Sequence, residues 1–260
     1  MRPYAARNWI GLWSLFMREL RRSTVKSWGE LLFGPPLMGL LFAATFGIAA
    51  GSRDPAPLGL DMIAFLAPGL AFSAAGNFAF AGGCFPIVMG KLEGTIADEL
   101  MAPLSPGELA LGHALGGAVA GIACGLAVLL VLIPFAPLTF PNPLLALAHL
   151  ALGALALSTI GAIAGLWARR WDDYGAVDTL FLQPLMMLSG TFFPLATLPE
   201  PLPSALALLP AFPAIDGMRQ GLAGAGEAPV ATSLLVLAAT CLGLLVALRQ
   251  LFASGWRTKS

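Results

Sequence analysis

The chain has 260 residues, of which 58% are hydrophobic and only 11% are charged, and its formal net charge is zero. Soluble domains carry roughly a quarter charged residues, so this composition excludes an ordinary soluble protein and indicates an integral membrane protein. No basic cluster accompanies a stacking platform, so nothing in the sequence indicates a nucleic-acid partner.

Residues 4–27 are predicted to form an amphipathic helix on the membrane surface. Apolar side chains recur at the spacing of one helical face, and arginines occupy the opposite face. The apolar positions are Trp9, Leu12, Trp13, Phe16 and Leu20, and the basic ones are Arg7, Arg18, Arg21 and Arg22. Aromatic side chains below and arginines above favour an interfacial helix on an anionic leaflet. The alternative is an ordinary basic tail that precedes the first span.

Six apolar segments follow, each near the length of about 20 residues that crosses a bilayer. They are residues 31–50, 62–88, 109–133, 144–168, 176–193 and 230–252. Pro35 and Pro36 lie in the first, so its inner end is expected to be kinked or to start late. Pro68 is a candidate break in the second. The predicted fold is therefore an all-α membrane protein, with a transmembrane domain over residues 28–254.

Small residues in these segments indicate close packing between helices. Glycines recur at four-residue spacing in the third and fourth segments, which allows helix backbones to approach each other. They are Gly112, Gly116, Gly117, Gly121, Gly125, Gly161 and Gly165. Cys84, Cys124 and Cys241 also fall inside apolar runs, where packing explains them better than metal or redox chemistry.

The basic residues indicate how the chain is oriented. With six spans both termini lie on one side, and twelve of the fourteen Lys and Arg residues fall on that side. Only Arg53 and Arg219 fall on the other. Because cytoplasmic loops are enriched in Lys and Arg, both termini and the loop of residues 89–108 are predicted to be cytoplasmic.

Residues 194–221 are too interrupted for a seventh span and too apolar for a free loop. Any continuous helix would be broken by Pro194, Pro199, Pro201, Pro203, Pro210 and Pro213. We expect short helices that dip into the outer leaflet, with their backbone ends covered by protein.

The sequence lacks the motifs of several kinds of chemistry. Gly107 and Gly112 have the spacing of a nucleotide-binding loop, but His113 and Ala114 replace its Lys and its Ser or Thr. There is no HExxH motif, and a metal site is not predicted. The spans carry no acidic residue at their centres, where an ion-driven carrier usually has one. The energy for transport is therefore expected to come from outside the chain.

Two other functions stay open at this point. One is a stand-alone ion-driven carrier or lipid scramblase, in which His113 and His149 near span ends would relay protons. The other is an intramembrane enzyme, for which no polar residue within a span is a candidate.

The charged loop of residues 89–108 separates two apolar segments. Gly94–Leu104 is predicted to form a short amphipathic helix that ends near Pro103. Its apolar face is Ile96, Leu100, Met101 and Leu104, and its acidic face is Glu93, Asp98 and Glu99. Anionic lipid would favour basic residues here, so the acidic face indicates a surface that docks a protein. The alternative is a solvated connector.

Motifs in this loop and elsewhere resemble those of a known family. In the loop they are Glu93-Gly94-Thr95, Glu99-Leu100 and Ala102-Pro103. Elsewhere they are Phe65–Leu70, Asp172-Asp173, Leu188-Ser189-Gly190, Phe193-Pro194, Leu198-Pro199, and Pro210 with Ile215, Gly217 and Arg219. In order and spacing the sequence resembles the membrane subunits of type 2 ABC exporters. Within that class it is most similar to the Nod-factor and daunorubicin exporter permeases.

The resemblance implies a role for each segment. Residues 4–27, with Trp9, Trp13, Arg18 and Arg21, would be the connecting helix on the inner leaflet. Residues 89–108 would be a coupling loop seated in a cleft of a separate ATPase subunit, through Glu93, Gly94, Thr95, Ile96, Glu99, Leu100, Ala102 and Pro103. Residues 194–221 would be an outer re-entrant hairpin, with cap residues Gly190, Phe193, Pro194, Pro199, Pro210 and Arg219.

The resemblance also implies an assembly. Two permeases and two ABC ATPases would form the working exporter in the bacterial inner membrane. ATP and Mg would bind the ATPase, and this chain would hold no cofactor. An amphipathic, lipid-linked or glycan-type cargo is expected to leave the cytoplasm or inner leaflet between two copies of the chain.

Overall fold

The computed structural model describes residues 8–22, 28–50 and 57–255, and no strand occurs among them. The helices are α1 (Trp9–Leu20), α2 (Trp28–Ala50), α3 (Met62–Leu92), α4 (Ile96–Met101), α5 (Pro106–Leu132), α6 (Pro143–Trp167), α7 (Trp171–Val177), α8 (Gln183–Leu188), α9 (Leu202–Leu206), α10 (Ala211–Ala223) and α11 (Val230–Ser254). Short 3-10 turns occur at Pro57–Gly59 and Leu195–Thr197, and a π-helical turn at Asp178–Leu182 joins α7 to α8.

Within the described residues, five helices are long and apolar enough to cross a membrane, namely α2, α3, α5, α6 and α11. The protein is thus an all-helical membrane protein, as its composition predicted. The prolines interrupt less than expected, because α2 runs through Pro35 and Pro36 and α3 runs through Pro68. Residues 4–7 and 23–27, at the two ends of the predicted interfacial helix, lie outside the described part of the chain.

The predicted fifth span, residues 176–193, overlaps a helical run whose bounds differ from those of the apolar segment. The helical run begins at Trp171 and ends at Leu188, and the π-helical turn lies in its middle. Its start is set by Asp173, whose carboxylate accepts hydrogen bonds from the backbone N–H groups of Arg169 and Arg170 at 2.7 and 3.0 Å. Its end precedes Gly190, which has a φ of +81° and so cannot continue a helix.

Capping residues also set the starts of α3, α5 and α6. Asp61 accepts a hydrogen bond from the Ile63 N–H at the start of α3, and Asn142 does the same for Leu145 at the start of α6. A capping box formed by Ser105 and Glu108 begins α5. Such caps satisfy N–H groups that lack a partner within the helix. The three helices start at the first residue of the predicted span or up to three residues before it.

The core lies where α3 packs against α5 and α6, with almost no space between the backbones. A Cβ atom on Gly161 of α6 would overlap the carbonyl oxygen of Phe80 on α3. A Cβ on Gly117 of α5 would lie 2.6 Å from the backbone nitrogen of Gly83. The close approach that the glycine spacing predicted is confirmed at these positions, and all three cysteines are buried.

Candidate functional site

The short helix α4 is attached to one end of the bundle by a turn and one buried side chain. Gly94 makes the turn after α3 with a φ of +76°, a conformation that favours glycine. Ile96 at the start of α4 is buried in an apolar cluster with Leu109 of α5 and Leu166 of α6. The cluster holds the first turn of α4 against the bundle.

Glu99 in the middle of α4 joins two other helices. Its Oε1 atom accepts a 2.5 Å hydrogen bond from the guanidinium of Arg18 on α1. Its Oε2 atom lies 3.2 Å from Nε2 of His113, which is buried on α5. Arg18 also donates two hydrogen bonds, of 2.9 and 2.7 Å, to Oε1 of Glu19. We call Arg18, Glu19, Glu99 and His113 the inner polar cluster.

The inner polar cluster favours the charged form of Glu99. Burial disfavours the carboxylate, but the hydrogen bond and charge of His113, together with Arg18, outweigh it and hold the pKa of Glu99 below its ordinary value. Burial also opposes the charge of Arg18, but the carboxylates of Glu99 and Glu19 outweigh it and raise the pKa of that guanidinium. The cluster is therefore an ion-paired contact at neutral pH.

Helix α1 is seated on a glycine surface of α5. Leu15 and Glu19, one turn apart, pack over Gly112 and Gly116, where a Cβ atom would clash with either side chain. Glu19 is only 1% exposed. The side of α1 that packs on the bundle is therefore formed by Leu15 and Glu19. Trp9 and Trp13, from the predicted apolar face, are not part of it.

The start of α1 is also tied to the loop around α4. The Asn8 backbone N–H donates a 2.6 Å hydrogen bond to Glu108, and the Asn8 side chain donates a 3.1 Å bond to the Pro103 carbonyl. The second Glu108 oxygen accepts a 2.7 Å bond from the Ser105 N–H. Both ends of α1 are thus anchored to the segment that carries α4.

The opposite side of α1 is exposed. Trp9, Ile10 and Trp13 are 65%, 82% and 60% exposed. Arg21 is also exposed, whereas Arg22 lies over the ring of Phe85 at 5.4 Å. A surface that combines tryptophans with an arginine is typical of a helix in a membrane interface.

The exposed side of α4 differs from the one that the sequence predicted. Met101, which was placed on the apolar buried face, is 76% exposed, and Glu99, which was placed on the outer acidic face, turns inward. The exposed positions of this loop are Leu92, Glu93, Gly94, Thr95, Ala97, Asp98, Met101 and Pro103, while Leu100 and Ala102 are half-buried. The physical reason is that Arg18 and His113 offer Glu99 two partners on the inner side.

Lys91 fastens the end of α3 to the end of α6. Its ammonium group donates hydrogen bonds to the carbonyl oxygens of Gly165 at 2.9 Å and Ala168 at 3.0 Å, and also to that of Leu166. These carbonyls lie at the C-terminus of a helix, where a cation is favourable.

A second polar cluster lies at the opposite end of the bundle, around Arg219 of α10. Arg219 is fully buried and donates hydrogen bonds to the Gly190 carbonyl at 2.6 Å and the Phe65 carbonyl at 3.3 Å. Asp216, 3.8 Å from its guanidinium, accepts hydrogen bonds from the backbone N–H groups of Glu227 and Ala228. This cluster ties α10 to α3 and to the turn after α8.

The remaining predicted cap residues differ in their exposure. Phe193 and Pro194 are half-buried, Pro199 is exposed and Pro210 is buried at the start of α10. Glu227 was not predicted, yet its carboxylate accepts 3.0 Å hydrogen bonds from the N–H groups of Leu195 and Ala196. Glu19 and Asp216 were missed as well. Asp216 and Glu227 are isolated acidic residues among apolar and small residues, which was the available signal, whereas Glu19 stands among Arg18, Arg21 and Arg22.

A groove runs between α2, α3 and α8. One part, of about 290 Å³, is mostly apolar, and a second part, of about 600 Å³, extends toward the inner polar cluster. Asn77, Phe78 and Gln183 line both parts, and the two amides lie 3.4 Å apart. The groove therefore offers a polar contact on an apolar wall.

Comparison with known proteins gives consistent results. A family profile described as "ABC-2 type transporter" matches residues 9–223. The chain is 28% identical over 229 residues to the Inner membrane transport permease YadH of Escherichia coli strain K12. The aligned region covers 88% of this chain and 89% of that protein. It is 29% identical over 217 residues to Nodulation protein J of Sinorhizobium fredii, covering 82% of this chain and 80% of the relative. It is also 24% identical over 246 residues to Nodulation protein J of Rhizobium leguminosarum bv. viciae, covering 94% and 92%.

Proposed function

The chain belongs to the ABC-2 type transporter family, and from that premise we propose that it is the membrane permease of an exporter driven by a separate ABC ATPase. It is a multi-pass transport permease of the bacterial inner membrane, as its relatives are. The observation that carries the proposal is α4, a six-residue helix that is held by the bundle on one side and exposed on the other. An exposed helix of this kind suits a docking contact better than a free connector.

The docking surface is assigned to the exposed side of α4. Ala97, Asp98 and Met101 form a small apolar and acidic patch, with Glu93 beside it. A cleft that seats Met101 would bury an anchor of the kind that dominates interface energies. On binding or hydrolysing ATP, the ATPase would move α4, since a ligand shifts a conformational equilibrium only through its different affinity for the two states.

The orientation and the number of spans belong to the same proposal. Five crossings are supplied by the long helices, and the run from Trp171 to Leu188 supplies the sixth. Both termini and α4 then lie in the cytoplasm, where basic residues are enriched. Helix α1 is the connecting helix on the inner leaflet, and the segment from α9 to α10 is the outer re-entrant cap.

The transport pathway is placed between two copies of the chain, each with its own ATPase. The groove between α2, α3 and α8 supports this placement, because it is open along the bundle and carries Asn77 and Gln183 at the depth of the spans. Exposed polar groups within a span are costly in lipid, so they usually serve a ligand or a partner. An amphipathic, lipid-linked or glycan-type cargo fits an apolar wall with a polar contact.

The experiment is co-purification of the permease with its cognate ABC ATPase. Met101→Glu puts a charge into the proposed contact, where it costs more than about 1.4 kcal/mol, so the association weakens at least about tenfold. Leu208→Glu, at an exposed leucine between α9 and α10, is the matched control and leaves the association unchanged. If the wild-type chain binds no ABC ATPase, or transports in liposomes without one, the proposed function is wrong.

A further inference from the structure

Glu99 is the one acidic side chain of α4 that turns inward. Its neighbour Asp98 carries the same group and is exposed. The two Glu99 oxygens are used separately, one by Arg18 of α1 and the other by His113 of α5. A single carboxylate thus joins α4 to α1, which is distant in sequence, and to α5, which is the next helix along the chain.

Helix α4 depends on such contacts for its orientation. It has only six residues, and the side chain of the N-cap residue Thr95 makes no capping hydrogen bond. Isolated helices of this length are unstable in water, so tertiary contacts fix both its conformation and its direction. Ile96 anchors the first turn, and Glu99 anchors the turn that follows.

Both partners of Glu99 are firmly connected to the bundle. Arg18 is adjacent to Glu19, which is buried over Gly116 of α5. His113 is 2% exposed, and its ring stacks on Phe252 of α11 with centroids 6.0 Å apart. A displacement of α4 therefore reaches α1 through Arg18, and reaches α5 and α11 through His113.

We infer that Glu99 is the positioning residue that transmits the movement of α4 to α1 and α5 during the transport cycle. This inference rests on the proposed function, because it requires an ATPase that moves α4. It assigns Glu99 to an intramolecular link and leaves the contact with the ATPase to Asp98 and Met101. The two neighbouring carboxylates of α4 thus have different roles.

The test is hydrogen–deuterium exchange of the permease–ATPase complex in nanodiscs, nucleotide-free and trapped with ATP and vanadate. In the wild type, trapping changes the exchange of α4, α1 and the first turns of α5. In Glu99→Ala the change at α4 remains and those at α1 and α5 are lost. Asp172→Ala, which removes an exposed carboxylate of α7 outside the docking surface, is the matched control and keeps all three. A purely structural role would shift both states equally and would leave the difference between them intact.

A second variant separates the contact of Glu99 with α1 from its contact with α5, and it leaves the sequence of α4 unchanged. Arg18→Gln loses the response of α1 and keeps those of α4 and α5, which also decides the question if Glu99→Ala fails to fold. The inference is overturned if α1 and α5 respond in Glu99→Ala as they do in the wild type. It is also overturned if Glu99→Ala assembles poorly with the ATPase while it folds normally. If the wild-type chain binds no ABC ATPase, that result would instead refute the proposed function.

Discussion

The guanidinium carbon of Arg219 on α10 lies 4.0 Å from the centre of the Phe65 ring on α3. In the same position Arg219 donates hydrogen bonds to the carbonyl oxygens of Phe65 and Gly190. A planar guanidinium stacks its face on a ring while its N–H groups donate hydrogen bonds to neighbouring carbonyls, whereas the ammonium group of lysine has no flat face to stack. The cap around α10 is therefore held to α3 by a contact that only arginine makes.

Arg219→Lys is expected to destabilise the protein although it keeps the charge. Lysine loses the ring stacking and one of two charge-assisted hydrogen bonds, each worth about 1.5–3 kcal/mol when buried. The midpoint of thermal unfolding in detergent falls clearly as a result. Arg249→Lys, at an exposed position of α11, is the control. Equal midpoints for the two variants would contradict the assigned role of Arg219.

Gly161→Ala is expected to be destabilising, and Gly243→Ala is not. A Cβ on Gly161 overlaps the Phe80 carbonyl, and overpacking of a tight core costs about 1–3 kcal/mol. In the described part of the chain, no atom lies within 4 Å of a Cβ added to Gly243 of α11, and alanine favours a helix over glycine. Thermal unfolding of both variants measures the difference. An unchanged midpoint for Gly161→Ala would show that α3 and α6 separate more easily than their backbone contact indicates.

The long helices were predictable from the sequence because the bilayer fixes both their length and their composition. Their ends were less predictable, since side chains such as Ser105 and Asn142 decide where each helix starts. The helical run from Trp171 to Leu188 begins five residues before the predicted apolar segment, because Asp173 accepts hydrogen bonds from the backbone N–H groups just before Trp171. Apolar runs therefore locate spans, and local hydrogen bonds set their bounds.

The candidate sites were predictable as segments but not as contacts. The sequence identified the loop around α4, yet periodicity alone placed Glu99 outside and Met101 inside. The partners that turn Glu99 inward are Arg18, which is far away in the chain, and His113, which is on the next helix. Asp216 and Glu227 were missed for the same reason, because their partners are backbone N–H groups brought together only by folding.

The orientation of the chain is open to direct measurement. In a variant without the three native cysteines, Ala97→Cys on α4 is expected to react with a membrane-impermeant maleimide only after the inner membrane is made permeable. Ala205→Cys on α9 is expected to react in intact spheroplasts. Both positions are exposed, so access to the reagent decides the outcome. The reverse pattern would place α4 outside the cell and would end the assignment of α4 as a docking helix.

Acid is expected to weaken the contact between Glu99 and its partners. The folded protein holds the pKa of Glu99 below the ordinary value of 4.5, so the contact stabilises the protein fully above that value. The stabilisation is lost as the pH falls through the lower folded pKa. Glu99→Gln removes the charge, and its cost at neutral pH is about 1 kcal/mol because Arg18 is half exposed. The difference in unfolding midpoint between wild type and Glu99→Gln is therefore present at neutral pH and shrinks below about 4.5. Arg18 and Glu19 on α1 and His113 on α5 face Glu99. Their interactions with the Glu99 carboxylate are what the difference measures, and only the contributions that do not depend on Glu99 cancel. A difference that grows on acidification would mean that Glu99 is protonated in the folded protein and that the inner polar cluster is not an ion pair.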